Sequence, residues 1–356
     1  MRRPRIVALG GGSGPSLIAR ALPDHLDDFT AVVSVSDCGS SSGVIRREFD
    51  LPATGDIRAT LSCLARLSNP DSPWPDLMEH RFRPNAPGQL ENMALGNLLL
   101  TALATRGKPF AAAVQEAAGL LGCRGRVLPV SSRPIDISAR LDGGAVVHGE
   151  VAVRQSGKPP IRDLFVEDAD ATPWEPALKA IQDADYLFIG PGNLFTSIAA
   201  CLVVPGVAEA IRRCRGVRVY IPNTTSYPGQ TDGFTVLDHV ETVARYLDDG
   251  VPEYVILNQQ RPADRVARIY AAQGVRFIPV TEWEIVAIVH RSIKAASADL
   301  LEPTLDEPRK LHKLDTIRHD PAKLGWVLHE LFGLGARSSS RLGQIGSPGA
   351  SAASSH

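Results

Sequence analysis

The sequence predicts an α/β fold: a three-layer core with a mostly parallel sheet covered by helices, carrying an inserted β-rich subdomain. Three observations predict it. Short β-branched and apolar runs alternate with segments of helical spacing in the first third of the chain. Those runs end in loops rich in glycine, serine and asparagine. Between residues 126 and 166 the pattern changes to short runs joined by turns, then returns to the first kind.

The first apolar run, Arg5-Leu9, is a buried strand, and Leu17-Leu22 is a helix. The loop between them, Gly10-Gly11-Gly12-Ser13-Gly14-Pro15-Ser16, sits where backbone N–H groups and a helix dipole favour an anion. It lacks the Walker A lysine and a clean GxGxxG spacing, so phosphate loop and tight turn both fit. Thr30-Val35 is the second strand, followed by Ser36-Asp37-Cys38-Gly39-Ser40-Ser41-Ser42-Gly43. There Asp37 suits a ribose hydroxyl or a metal ion, with Ser36, Ser41, Ser42 and Gly43 as further ligand contacts. Arg46 and Arg47 are expected at the start of a short helix, where a guanidinium can clamp a phosphate or sit as a surface charge. In Pro52-Ala53-Thr54-Gly55-Asp56-Ile57-Arg58, Asp56 is the expected N-cap of a helix over Ile57-Leu67, and Arg58 lies one turn inside it. A second helix covers Leu95-Thr105, and its buried Asn97 needs partners as a local cap or a ligand contact.

Val127-Val130, Ile135-Leu141 and Ala145-Val153 are the expected strands of the insertion, with Gly143-Gly144 as a turn. Tyr186-Ile189 then enters Gly190-Pro191-Gly192-Asn193-Leu194-Phe195-Thr196-Ser197, which offers amide and hydroxyl donors at a helix start. Val217-Ile221 enters a long polar loop from Pro222 to Gly233, in which Asn223, Thr231 and Asp232 are the ligand candidates. Loops at the carboxyl ends of parallel strands converge on one crevice. Tyr254-Leu257 and Val275-Ile278 complete the expected sheet. Asp320 and Pro321 start a last helix over Ala322-Leu331, and Arg337 to His356, rich in serine, glycine and alanine, is expected to be disordered. The domain organisation is therefore 1–125 and 171–335 as two parts of one core, 126–170 as the insertion, and 336–356 as a tail.

Composition excludes several classes. A net charge of -1 without blocks of one sign gives no footprint for nucleic acid, and no apolar stretch is long enough to span a bilayer. The five cysteines have no CxxC spacing, so neither a disulfide framework nor a zinc site is expected, and reduced thiols fit a cytoplasmic protein. The start of the chain has no signal-peptide pattern. His239 falls on a helix as a packing residue, while His80 and His148 have no triad partners in the sequence.

In this order, GGGSG, VSDCGSSSGVIRREFDLPATGDIR, LGNLLL, GRVLPVS, GPGNLFTS, PGQTDGFTVLDHVE and IRHDPAKL resemble the family of the gluconeogenesis factors (YvcK-like proteins) and the 2-phospho-L-lactate transferases (CofD). The resemblance runs from Arg5 to about Leu331 and is closer to the gluconeogenesis-factor branch. That branch usually has paired aspartates and paired glycines where this chain has Asp37-Cys38-Gly39-Ser40, and Gly-His-Ser where it has Asn92-Met93-Ala94. A thiol at Cys38 is a poor magnesium ligand, so a metal-assisted transfer is more exposed to these departures than nucleotide binding is. The resemblance implies a Rossmann-like core that binds a nucleotide diphosphate or UDP-type sugar nucleotide. It further implies a regulatory link between central carbon metabolism and cell-envelope growth. A homo-oligomer is expected, with no cofactor required and magnesium possible. The transferase branch implies instead a phospholactyl-type transfer from a guanylyl donor to a deazaflavin acceptor, with release of GMP. In that branch Asp37 would hold magnesium, and Arg58 and the glycine loops would steady the phosphoryl charge. The resemblance also places the segment of Arg318 and His319 against the nucleotide, with Arg318 as the contact to phosphate or sugar and His319 as the weaker candidate.

Overall fold

The computed structural model describes residues 3–82, 90–167, 171–248, 250, 252–303 and 317–334. The expected disordered tail lies outside the described residues. The chain opens with β1 (Ile6–Gly10), α1 (Ser13–Ala21), a 3-10 turn (Pro23–Asp28) and β2 (Phe29–Val33). Five helices follow: α2 (Ser40–Phe49), α3 (Gly55–Ser68), α4 (Trp74–Glu79), α5 (Leu95–Ala104) and α6 (Phe110–Leu120). Next come β3 (Arg126–Pro129), β4 (Ile137–Leu141), β5 (Val146–His148), α7 (Glu150–Arg154) and β6 (Ile161–Val166). The second half of the core runs α8 (Glu175–Gln182), β7 (Tyr186–Ile189), a π-helical turn (Leu194–Ala199), α9 (Ala200–Leu202), α10 (Val207–Arg213) and β8 (Val217–Tyr220). It continues through α11 (Val236–Tyr246), β9 (Tyr254–Asn258), α12 (Asp264–Ala271), α13 (Glu282–His290), β10 (Lys294–Ala298) and α14 (Pro321–Phe332).

Seven strands form one parallel sheet in the order β10-β9-β8-β7-β1-β2-β3. The chain therefore winds outward from β1 in one direction, then outward from β7 in the other. Because parallel crossovers are right-handed, the two windings place their helices on opposite faces. Accordingly α1 packs with α3 and α14, and α3 with α6, in one layer, while α8 packs with α10, and α11 with α13, in the other. Coverage of both faces explains why Ile6 to Leu9 and Leu187 to Ile189 are apolar without alternation, each no more than 2% exposed. Each Ile, Val, Leu or Phe among them contributes about 1.5–3 kcal/mol by burial.

Three sequence expectations change. Val127-Val130 does not open the insertion: β3 continues the main sheet beside β2, and its buried Val127 and Leu128 are covered on both faces. The separate sheet is antiparallel, in the order β5-β4-β6. Ala145-Val153 is a strand only over Val146–His148, because Gly149 at φ +81° turns the chain into α7. Val275-Ile278 stays outside the sheet, with Phe277 in an isolated antiparallel bridge to Thr225, and β10 takes the edge beside β9 instead.

Candidate functional site

The reversal of winding falls between β1 and β7, so the loops after these two strands face each other at the carboxyl edge of the sheet. Three segments meet there, and glycine is what lets them. A Cβ on Gly11 would lie 2.7 Å from Ser197 Oγ and 2.9 Å from Asp56 Oδ2. One on Gly12 would lie 2.9 Å from the Asp56 carbonyl oxygen, and one on Gly14 only 2.1 Å from the Pro191 carbonyl oxygen. With the polar loops numbered along the chain as first (10–16), second (36–43), third (52–58), fourth (190–197) and fifth (222–233), the first loop, the fourth loop and the start of α3 are thus brought together as expected. Gly12 and Thr54 occupy the N-cap positions of α1 and α3, and neither helix has a side-chain cap. Both positive helix ends open toward the same crevice, with Ser13 exposed at the mouth of α1. Asp56 is not the N-cap expected from sequence: it stands in the first turn of α3 with its carboxylate against Gly11 and Gly12.

The second loop closes one side. Asp37 Oδ1 accepts from the Gly39 amide at 3.1 Å, and its other oxygen lies 3.1 Å from where a Cβ on Gly55 would be, with Ser42 Oγ at 2.7 Å from the same point. Gly43 donates its amide to the Gly39 carbonyl at 3.1 Å and leaves room for the Cys38 carbonyl, which a Cβ there would meet at 2.2 Å. Behind this loop runs a buried polar chain: Asn97 Nδ2 donates to Ser41 Oγ at 3.0 Å, and Arg58 donates to Asn97 Oδ1 at 3.3 Å and to Glu79 at 3.2 Å. Burial, together with the neighbouring Arg58, holds the Arg81 guanidinium below its usual range, and Glu79 opposes this.

Several candidates have structural roles. Arg46 lies in the last turn of α2, not at its start, and donates to the carbonyls of Ser36 and Ile135 at 3.1 Å and to Asp136 at 2.6 Å. It ties the second loop to the insertion. Asn193 accepts from the Phe195 and Thr196 amides at 3.2 and 3.3 Å, capping the π-helical turn, and Asn223 Oδ1 accepts from the Gly192 amide at 3.0 Å. Thr231 accepts from the Tyr227 amide at 2.8 Å and Asp232 from the Gly229 amide at 2.5 Å, so both shape the fifth loop itself. Gly190, with φ +78°, lets Pro191 turn into the crevice, while Thr196 and Ser197 are half-buried on its wall.

Ile317 to Asp320 pairs with Leu300 to Glu302 at the carboxyl edge, through a Leu301–His319 bridge, and the Thr224 hydroxyl donates to the Ile317 carbonyl. Arg318 is exposed there. His319 is 5% exposed, and burial pushes its pKa down to about 4, so it is a neutral packing group. His239 is likewise buried, with Nδ1 2.8 Å from the Thr235 carbonyl. His148, without a partner in sequence, meets both Glu167 and Ser138 through Nδ1 alone. A catalytic triad needs the two ring nitrogens used in opposite directions, so this cluster is not one.

Sequence reasoning missed the contribution of the insertion. Gly149 approaches Cys38, Glu150 approaches Gly39, and Lys158 donates to the Gly229 carbonyl. Only the isolated Gly149 hinted at a break, since these contacts join segments far apart in sequence. Among the described residues no group of three or more His, Cys, Asp or Glu side chains is placed to hold a metal ion, and no single helix is long and apolar enough to cross a membrane. A cleft of about 610 Å³ lies at the opposite edge of the sheet, but its Arg5, Asp183 and Asp185 pair with one another across solvent.

Comparison with known proteins agrees with the fold. The sequence model of the 2-phospho-L-lactate transferase CofD family matches residues 6–301. The gluconeogenesis factor of Halalkalibacterium halodurans is 33% identical over 330 residues, covering 93% of this chain and 97% of that protein. The gluconeogenesis factor of Bacillus subtilis is 33% identical over 331 residues, covering 93% and 99%. The crystal structure of a UPF0052-family protein from Bacillus halodurans superposes with a TM-score of 0.82 at 32% identity, covering 91% of this chain and 99% of that one.

Proposed function

The chain belongs to the CofD family, and from that premise we propose that it is a regulatory protein of the gluconeogenesis-factor type that binds a nucleotide sugar of the UDP class, linking central carbon metabolism to cell-envelope growth. One observation carries the reading: Gly11, Gly12 and Gly14 bring two uncapped helix ends and the fourth loop to one point at the reversal of the sheet. Amide groups and positive helix ends at such a point favour a diphosphate. The names of the relatives support the regulatory part. In this reading the first-loop amides and the hydroxyls of Ser13, Thr196 and Ser197 face the phosphates, Asp37 takes a ribose hydroxyl, and Arg318 reaches the ligand from the rim.

Calorimetric titration with UDP, UDP-sugars, guanylyl compounds and dinucleotides tests the reading. Ser13→Glu is the informative variant, because the position is exposed and an acidic residue suits the first turn of a helix, so the fold is retained. A carboxylate in the phosphate position should lower UDP-sugar affinity about tenfold or more, equivalent to roughly 1.4 kcal/mol. Equal affinity in wild type and variant would remove the first loop from the site.

The transferase reading is favoured by one feature, Asp37 at the crevice beside a phosphate floor. Magnesium bound there would need most of its oxygens from the ligand and water, since Asp37 is a single carboxylate already accepting from Gly39. When bound, the ion would supply charge neutralisation at the phosphates. Incubation with a guanylyl donor and a deazaflavin acceptor should give no GMP; sustained magnesium-dependent release would establish catalysis instead.

A further inference from the structure

The segment between β5 and β6 touches the loops that line the crevice. At one end of α7, Glu150 Oε2 lies 3.9 Å from where a Cβ on Gly39 would be, and a Cβ on Gly149 would lie 4.0 Å from Cys38 Sγ. Both contacts are to the second loop, after β2. The body of α7 packs on the π-helical turn that follows the fourth loop, after β7. Beyond α7 the chain presses on the fifth loop, after β8: a Cβ on Gly229 would lie 2.5 Å from the Gln155 carbonyl oxygen and 2.8 Å from Ser156 Cα, and Lys158 donates to the Gly229 carbonyl. In the sheet order β8-β7-β1-β2 these loops stand on both sides of the reversal. Residues 149–158 therefore span it from one side to the other.

The span and the floor differ in chemistry. The floor offers amides and helix ends, which suit phosphate. The span offers an ion pair on one face of α7, with Arg154 Nη1 3.1 Å from Glu150 Oε1 and side chains 32% and 5% exposed. A carboxylate does not favour a phosphate neighbour, but it accepts from hydroxyls, and the guanidinium held beside it donates to ring, hydroxyl or carbonyl oxygens. Joined as a pair, the two add little net charge, so they add little attraction for the diphosphate itself.

We infer that Glu150 and Arg154 are the specificity-determining residues for the group beyond the diphosphate, a hydroxyl-bearing sugar ring read by the span while the nucleoside diphosphate is held by the floor. The inference rests on the nucleotide-sugar reading above. It explains why the insertion is tied at three places: to α2 through Arg46, to the second loop through Glu150, and to the fifth loop through Lys158. A reader of ring hydroxyls must be held in register with the phosphate floor.

Calorimetry on the full chain with UDP and with the UDP-sugar that binds tightest tests it. Arg154→Ala and Glu150→Gln should each weaken the UDP-sugar about tenfold or more while leaving UDP affinity unchanged, so that the preference for the sugar collapses. Arg154→Lys, which keeps the charge beside Glu150, should retain part of that preference. A common loss for UDP and UDP-sugar, with a lowered melting temperature of the ligand-free protein, would make the pair structural and overturn the inference. Unchanged affinity for both ligands would overturn it as well. Binding of neither ligand by wild type would instead overturn the nucleotide reading itself.

Discussion

At the scale of single residues, the crevice shows which glycines serve the fold and which positions are free for a ligand. Gly14→Ala places a methyl 2.1 Å from a backbone oxygen, which cannot yield as a side chain would, so a loss of about 1–3 kcal/mol is expected in chemical denaturation. Gly12 has the same limitation against the Asp56 backbone, so a bulky residue there tests packing before it tests binding. Asn97 is fully buried between Ser41 and Arg58. Asn97→Ala should therefore cost about 1–3 kcal/mol of stability by leaving both partners short of a bond. A loss of ligand affinity with no loss of stability would assign Asn97 to the ligand instead. His319 gives a pH signature. Burial lowers its folded pKa from the ordinary 6.5 to about 4, so between these values the unfolded chain binds the proton and the folded chain does not. Stability is thus full above pH 6.5 and falls as the pH drops toward 4, by at most about 3 kcal/mol from this group. His239 is shifted in the same direction, so His319→Leu should flatten the melting temperature over that range only in part.

At the scale of elements, legibility followed periodicity and burial. Tyr186-Ile189 was readable to the residue because a strand covered on both faces is apolar throughout. β10 was not, because Lys294–Ala298 has a weak strand composition and gains its place only by pairing with β9. The start of α3 misled through local chemistry: Asp56 is a good cap by type, yet the helix begins at Gly55 with Thr54 in the cap position, which leaves Asp56 in the first turn with its carboxylate against Gly11 and Gly12. Asp320 was read correctly, since nothing competes for it, and it accepts from the Ala322 and Lys323 amides at 2.8 and 3.0 Å. Asp320→Ala should cost about 1 kcal/mol by thermal melting. The same variant should also loosen the pairing of Arg318 with Glu302, because the cap and that pairing share the turn into α14. Of the candidate site, the glycine loops were legible as sequence. Arg46, Asn193 and Asn223 were legible as polar groups near a site, but whether they face a ligand or hold a loop depends on partners up to 90 residues away.

At the scale of the whole molecule, the sheet and the insertion share one hydrophobic core and line the crevice with two sets of contacts. The parallel sheet positions the floor, because its reversal between β1 and β7 is a property of winding and not of any one loop. The insertion positions the span, because residues 149–158 touch loops on both sides of that reversal. A ligand that reaches only the floor orders the floor, whereas one that reaches the span must order both. Hydrogen exchange separates these cases, since protection reports which segments lose local opening on binding. Saturating UDP should protect residues 10–16 and 190–197 and leave 149–158 near the ligand-free rate. Saturating UDP-sugar should protect all three segments together, and in Arg154→Ala the added protection of 149–158 should disappear while that of the floor remains. Equal protection of 149–158 by UDP and by UDP-sugar would mean that the span follows the floor mechanically and reads nothing of the sugar.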